Sequence, residues 1–448
     1  MQKNRLAQNY NFAKLMKFTT PTMIMLVFMS LYQMVDGVFV SNFVGELALT
    51  ALNVVYPFTS VIIAIAIMLA TGAGAIIALN MGMQKNQEAK ENFTFIIAVG
   101  IIISLVIMIL GSIYIKPLIY MLGATPRIYQ MCHDYLWIMI LSTPLAVLQL
   151  LFQTFFVTAG KPKVGLTLTI LGGVLNIVLD YYFIASLDMG IRGAAIATSV
   201  GYAITALYGL YYFAVHRKGT LYFVKPKLRF DVLKKSCMNG MSEMINNLAV
   251  AVTTYLFNII GLAYLQEEGV AAISIILYAQ FIMTSVFMGY ATGVAPIFSY
   301  KYGADDTKQI QKIFKMSIGF VLVTSVITFL LSFVLAKPIA LIFASHNQYV
   351  FDLAVNGFYL FAISFFFTGL NIFASALFTA FSNGKVSGFL SLLRTFVFLV
   401  IALIILPKMI GQNGIWLAVP LAEGMAVVFS IAALYKYRYQ YKLIPKKK

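Results

Sequence analysis

Apolar stretches long enough to cross a bilayer follow one another almost without interruption, and no other feature limits the fold so severely. The first runs from about Phe18 to Val40. Eleven more centre near Ile62, Leu105, Leu145, Leu175, Ala203, Val250, Met283, Val323, Phe366, Phe398 and Val427. A crossing helix uses about 20 residues, so twelve spans with short loops consume most of the 448 residues and leave no room for a large soluble domain. In hydrocarbon each backbone N–H and C=O needs a partner within the chain, which dictates helices for segments of this length. The expected class is therefore an all-α polytopic membrane protein of twelve helices. Only 10% of the residues are charged, against roughly a quarter in soluble chains. Too few polar side chains exist to cover a water-facing surface, which excludes a soluble enzyme, a disordered chain and a coiled coil. The first stretch is too long for a signal-peptide core and lacks a small-residue cleavage site, so it is read as a retained span.

Polar or Pro/Gly-marked breaks at Met83–Asn92, Lys116–Arg127, Lys161–Lys163 and Lys337–Asn347 separate the spans. The longest break, His216–Lys235, sits at the midpoint and is the expected linker. It divides the chain into residues 1–215 (spans 1–6), a cytoplasmic linker at 216–235, and residues 236–448 (spans 7–12 and a basic tail). With the N-terminus placed in the cytoplasm, 26 of the 32 Lys and Arg fall in cytoplasmic segments and five in external loops. Such asymmetry sets topology. It puts both termini in the cytoplasm of a multi-pass protein of the cell's inner (plasma) membrane, and it accounts for the net charge of +17 without nucleic acid. Lys446, Lys447 and Lys448 then form a lipid-facing basic end. Membrane lipids are expected partners, and a monomer is expected.

The two halves match at a fixed offset. Ala70-Thr71-Gly72 recurs 221 residues later as Ala291-Thr292-Gly293. At the same offset Gly82 meets Gly303, Phe93 meets Phe314, Lys116-Pro117 meets Lys337-Pro338 and Thr158-Ala159 meets Thr379-Ala380. After a slip of one to three residues, Lys163-Val164 meets Lys385-Val386 and Gly190-Ile191 meets Gly414-Ile415. Six spans is an even number, so both halves start on the same side as parallel repeats, a plan of transporters whose two bundles flank a central site.

Soluble-fuel and catalytic motifs are absent. No phosphate-binding G-x-x-x-x-G-K-[ST] occurs, and no H-E-x-x-H. His133, His216 and His346 fall at span ends or loops. Cys132 and Cys237 are far apart in sequence and form neither a disulfide framework nor a metal pair. An enzyme is not expected, and no cofactor. Charges within spans carry more information, because burying one costs a few kcal/mol or more. At about 1.5 Å per residue, Asp36 and Asp180 both reach the outer half of the first bundle. Asn176 lies one turn before Asp180 on the same helix face, and Thr198 sits at similar depth in span 6. Two carboxylates, an amide and a hydroxyl make an oxygen-rich set suited to Na⁺ or to a proton shared between carboxylates. The plainer alternative is that they only bond neighbouring helices. In the second half, Glu243, Arg394 and Glu423 read either as a charge-compensating pair with one acid over or as a substrate or proton site. Gly289-x-x-x-Gly293 reads as close helix packing. Met, Phe and Tyr are abundant; most serve packing and lipid contact, and some would suit a cavity for flat organic cations.

With these residues in place, the chain resembles the multidrug and toxic compound extrusion (MATE) family of prokaryotic type. The resemblance covers essentially the whole length: twelve spans, two six-span lobes and a basic midpoint linker. It rests locally on Pro21 in span 1, Gln33-Met34-Val35-Asp36-Gly37, the Ala70-Thr71-Gly72 run, and Asn176-x-x-x-Asp180 followed by Thr198. It implies an N-lobe cation site at Asp36, Asn176, Asp180 and Thr198, where Na⁺ or H⁺ entry drives export of organic cations, and a helix bend at Pro21. Some branches carry an acid in span 10 where this chain offers Asn371, with Asp352 only near the outer end, so the resemblance implies no second-lobe Na⁺ site. Glu243 resembles an acid of that same branch. The expected function is thus secondary antiport of organic, cationic drugs or toxic compounds against Na⁺ or H⁺. A lipid-linked oligosaccharide flippase of the same superfamily is the alternative. It calls for a strongly basic cavity, and the spans offer only Arg394.

Overall fold

The computed structural model describes residues 4–344 and 347–445, without the side chains at positions 33, 37, 38, 41, 42, 46, 49 and 267. Among the described residues all regular structure is helical. Among the described residues eleven helices are long and apolar enough to cross a membrane: Phe12–Asp36, Thr50–Gly82, Asn86–Ile113, Pro162–Ser186, Gly190–Val215, Phe230–Gln266, Glu268–Gly303, Thr307–Ala344, Gln348–Ala380, Gly384–Ile410 and Gln412–Tyr437. A twelfth crossing is made by Tyr129–Leu141 and Thr143–Thr158, which bend by 54° at Ser142, just ahead of Pro144. Counting that pair as span 4, these are spans 1–12 in chain order. Spans 7 and 8 join through Gln266, whose φ of 58° reverses the chain without a loop.

Helix ends differ from the polarity breaks. Span 1 starts at Phe12, six residues before the apolar run, and span 3 at Asn86, inside the Met83–Asn92 break. Lys116 lies within a short helix, Ile115–Met121. Span 9 passes through Pro338 to Ala344, across most of the Lys337–Asn347 break. The midpoint linker yields its last residues to span 7, which starts at Phe230. The reason is common to all: polarity marks where a helix leaves hydrocarbon, and the backbone stays helical beyond that level. His346 and the tail Lys446–Lys448 lie outside the described residues.

The face carrying residues 4–11, the linker and residues 438–445 is here called the terminal face. Buried apolar side chains form one shared core there, joining Leu15, Leu69, Phe93 and Phe155 of the first half to Phe298, Ile310, Phe378 and Tyr441 of the second. Away from that face the halves have separate cores, one around Val40, Ile119 and Ile184, the other around Phe257, Phe358 and Trp416. The two halves are therefore packed together on the terminal face.

Glycines make that packing possible. A Cβ on Gly72 would lie 1.9 Å from the Ser236 carbonyl oxygen, and one on Gly240 equally close to that of Met68. Gly82 and Gly303, one repeat offset apart, face each other: their Cβ atoms would stand 2.1 Å from the Tyr300 oxygen and 2.2 Å from the Leu79 oxygen. Gly289 packs on Met23 in the same way. Span 2 on spans 7 and 8, and span 8 on span 1, thus repeat one backbone-to-backbone contact across the pseudo-two-fold axis, a close approach that small residues permit. Polar ties reinforce it. Asn239 Nδ2 donates across the halves to the Gly72 carbonyl oxygen at 3.4 Å and, within the second half, to the Thr379 carbonyl oxygen at 2.9 Å. Lys301, almost fully buried, donates to Asp306 at 2.9 Å and to the Ala7 oxygen at 3.1 Å, and Tyr10 N donates to Gln309 Oε1 at 2.9 Å. The linker folds back on span 3, where Lys227 pairs with Glu91 at 3.0 Å and Arg229 with Glu88 at 3.3 Å.

Candidate functional site

Spans 1, 5 and 6 bring the four N-lobe residues together. Asn176 and Asp180 stack one turn apart on span 5, both buried. Immediately after Asp180 the helix widens into a π-turn, Tyr181–Ser186, a distortion that re-aims side chains and recurs at functional sites. The carboxyl groups of Asp36 and Asp180 lie close enough to interact directly. Asn176 and Thr198 line a small pocket of about 10 Å³ with Tyr32, Gln149, Tyr202 and Thr205, room for about one water-sized occupant. Tyr32 stands one turn from Asp36 on span 1 and so connects pocket and carboxyl pair.

Both oxygens of Asp180, one of Asp36, and both polar atoms of the Asn176 amide are buried without a hydrogen-bond partner. Each such atom costs about 1–3 kcal/mol, so the group is held in a state that a proton or a small hard cation would relieve. Two facing carboxylates repel, and a proton shared between them or a cation bound between them removes the repulsion. The donors are all oxygens or amide, which fits Na⁺ and not a soft metal. Among the described residues no group of three or more His, Cys, Asp or Glu could hold a metal ion.

The sequence reading did not single out the phenols here. Tyr32, Tyr135 and Tyr202 lie within electrostatic reach of Asp36, and Tyr135 of Asp180 as well. Tyr32 at i−4 from Asp36 was the available signal. Tyr135 was hidden by the bend of span 4, and Tyr202 by the many tyrosines on span 6.

In the second half, Arg394 Nε pairs with Glu423 Oε1 at 3.2 Å. Arg394 sits in a π-turn, Leu393–Val397. Asn371 Nδ2 donates to the other oxygen, Glu423 Oε2, at 2.6 Å and to the Glu423 carbonyl at 3.0 Å, while Ser430 donates to Asn371 Oδ1 at 2.8 Å. Of the two acids open as partners for Arg394, the structure pairs Glu423. Glu243 is half-buried, accepts from Asn246 at 3.4 Å and remains within electrostatic reach of Arg394. Asn371, which stands where an acid was sought, is the amide that clamps the ion pair. Below it Ser375, Ser387, Ser391 and Thr379 bond one another at 2.7–3.0 Å and tie span 10 to span 11. Pro21 is buried within the unbroken helix Phe12–Phe39, where it leaves the Lys17 carbonyl without its helical donor.

A helical membrane protein with two six-span halves joined on one face and an ion-sized polar pocket in one half has the architecture of a secondary transporter. The MatE family model matches residues 21–182 and again 244–404, once in each half, and the chain belongs to that family of multidrug efflux transporters, which are not enzymes. Among curated relatives, the multidrug export protein MepA of Staphylococcus aureus (strain bovine RF122 / ET3-1) is 21% identical over 430 residues, covering 95% of this chain and 94% of MepA. MepA of Staphylococcus saprophyticus is 22% identical over 441 residues, with the same coverage. Among solved structures, a MATE in complex with MaL6 superposes with a TM-score of 0.93 at 20% identity, over 99% of this chain and all of the other. An outward-facing multidrug resistance MATE transporter of the MOP superfamily gives 0.92 at 21%, over 98% of both chains. The expected family and all-α, two-lobed fold class stand.

Proposed function

We propose that the protein is a cation-coupled antiporter of the plasma membrane that exports organic cations in exchange for Na⁺ or H⁺, with Asp36, Asn176, Asp180 and Thr198 taking up the coupling ion. The observation that carries this reading is the facing pair Asp36 and Asp180, surrounded by buried oxygen and amide atoms that lack partners. The pocket beside it is ion-sized, so the drug binds elsewhere and the two ligands communicate through conformation. The 26-to-5 basic asymmetry supports a cytoplasmic terminal face, and the separate cores of the two halves beyond it fit an outward-open arrangement. A proton or Na⁺ arriving from outside removes the repulsion within the carboxyl pair. Span 1, one hydrogen bond short at Pro21, then packs differently against spans 5 and 6. An antiporter requires that this state bind substrate less tightly, and linkage requires substrate to weaken ion binding by the same factor. The flippase alternative gains no support, since Arg394 is neutralised by Glu423.

The test is efflux of a fluorescent organic cation from proteoliposomes under an imposed Na⁺ or pH gradient. The wild-type protein should respond to one of the two gradients. Asp36→Asn and Asp180→Asn should abolish the response while leaving the protein monodisperse, because each removes a buried charge without changing shape. Normal gradient-driven efflux by either variant removes this site from the mechanism.

A further inference from the structure

A second feature lies far from the carboxyl pair, at the terminal face. The first turns of span 9 and the chain's last described residues flank an open groove of about 620 Å³. Its walls carry Lys308, Lys312 and Lys315 together with Phe314, Ile318 and Leu443. The three lysines are exposed, and among the described residues none of them forms an ion pair. At i, i+4 and i+7 they occupy one face of the helix. The opposite wall is firmly built. Leu443 is 3% exposed in the shared core, Tyr441 stacks on Phe381 with ring centroids 4.6 Å apart, and Asn383 donates to the Tyr441 hydroxyl at 2.8 Å.

The same helix face continues past the groove. Next comes Gly319, with open space where a Cβ would be. Then follow Leu322, Val326 and Leu330, exposed by 48%, 46% and 56%. From Lys308 to Ile318 the helix rises about 15 Å, enough to pass from phosphate level into the acyl region. One stripe thus reads cationic at the membrane boundary, open at Gly319, and apolar below. A diffuse surface potential needs no groove. A headgroup with chains attached needs this sequence of surfaces, and basic pockets between helices on the cytoplasmic side are known to hold anionic lipid headgroups.

We propose that this groove binds an anionic phospholipid, its phosphate among Lys308, Lys312 and Lys315 and its chains along Gly319, Leu322 and Val326. The bound lipid would bridge span 9 and the C-terminal segment.

The experiment is native mass spectrometry of the purified full chain, titrated with phosphatidylglycerol, with phosphatidylcholine of the same chains, and with soluble glycerophosphate. Each lysine near an anionic surface is worth about five-fold in binding. Lys308→Gln/Lys312→Gln/Lys315→Gln should therefore weaken phosphatidylglycerol binding on the order of a hundred-fold at low salt, while the triple change to Arg keeps it. Lys234→Gln/Lys235→Gln, which removes exposed charge outside the groove, should leave it unchanged. Equal phosphatidylglycerol affinity for the wild type and the Gln triple variant overturns the proposal. So does an equal loss in the Lys234/Lys235 variant, which would mean a general surface potential, and so does glycerophosphate binding as tightly as the lipid, which would mean a site for free phosphate. All the variants change exposed side chains only, and the Arg triple variant separates lost charge from lost folding.

Discussion

Replacing Arg394 by methionine should strand the Glu423 carboxylate in the second half. Arg394 is 15% exposed and Glu423 7%, so solvent screening does little for the survivor. Removing one partner of a buried ion pair costs about 3–5 kcal/mol. The lower end applies, because Asn371 still donates to Glu423 at 2.6 Å. With an unfolding entropy of roughly 2.1 cal/mol/K per residue over a lobe of about two hundred residues, 1 kcal/mol is worth roughly 2 °C. Arg394→Met should then lower the midpoint by about 6 °C. Adding Glu423→Gln removes the stranded charge and keeps an acceptor for Asn371, so most of the loss should return. Adding Glu243→Gln instead should return little, since Glu243 is not the paired acid. The assay is thermal unfolding of the detergent-solubilised protein followed by size-exclusion fluorescence. A drop of less than 1 °C in Arg394→Met, or recovery with Glu243→Gln and none with Glu423→Gln, refutes the pairing as the source of stability.

Two further outcomes concern the terminal face. Gly303→Ala places a Cβ 2.2 Å from the Leu79 carbonyl oxygen, backbone that cannot rotate away, so the halves must part; a loss of about 1–3 kcal/mol and a longer spin–spin distance between labels at residues 85 and 304 are expected, and an unchanged distance would show that the contact is not tight. Lys301→Met deletes bonds to Asp306 and the Ala7 carbonyl, each charge-assisted bond worth about 1.5–3 kcal/mol; residues 4–11 should then exchange amide hydrogens and be cleaved by protease faster than in the wild type, and equal protection would mean that the N-terminal segment is held by Leu6 and Tyr10 packing alone.

The sequence by itself determined the class and the repeat, and it gave an expected depth for each charge within a span. Lipid admits little but helices for segments of this length, so hydropathy alone fixed the architecture, and the 221-residue offset revealed the internal duplication. Depth followed from a rise of about 1.5 Å per residue, and it placed Asp36 and Asp180 at one level. It could not say which helix faces meet, because a single span of known depth can still rotate about its axis. Only packing turned Asp36 toward Asp180, chose Glu423 over Glu243 for Arg394, and made Asn371 the clamp on that pair. Helix ends also escaped the sequence, as at Phe12 and Ala344, since polarity records the membrane boundary and not the last hydrogen-bonded turn. The packing of the terminal face was written in glycines that look ordinary one by one. Gly82 and Gly303 acquire meaning only when two backbones from opposite halves come close enough to exclude a single methyl group, and that distance is set by the fold as a whole.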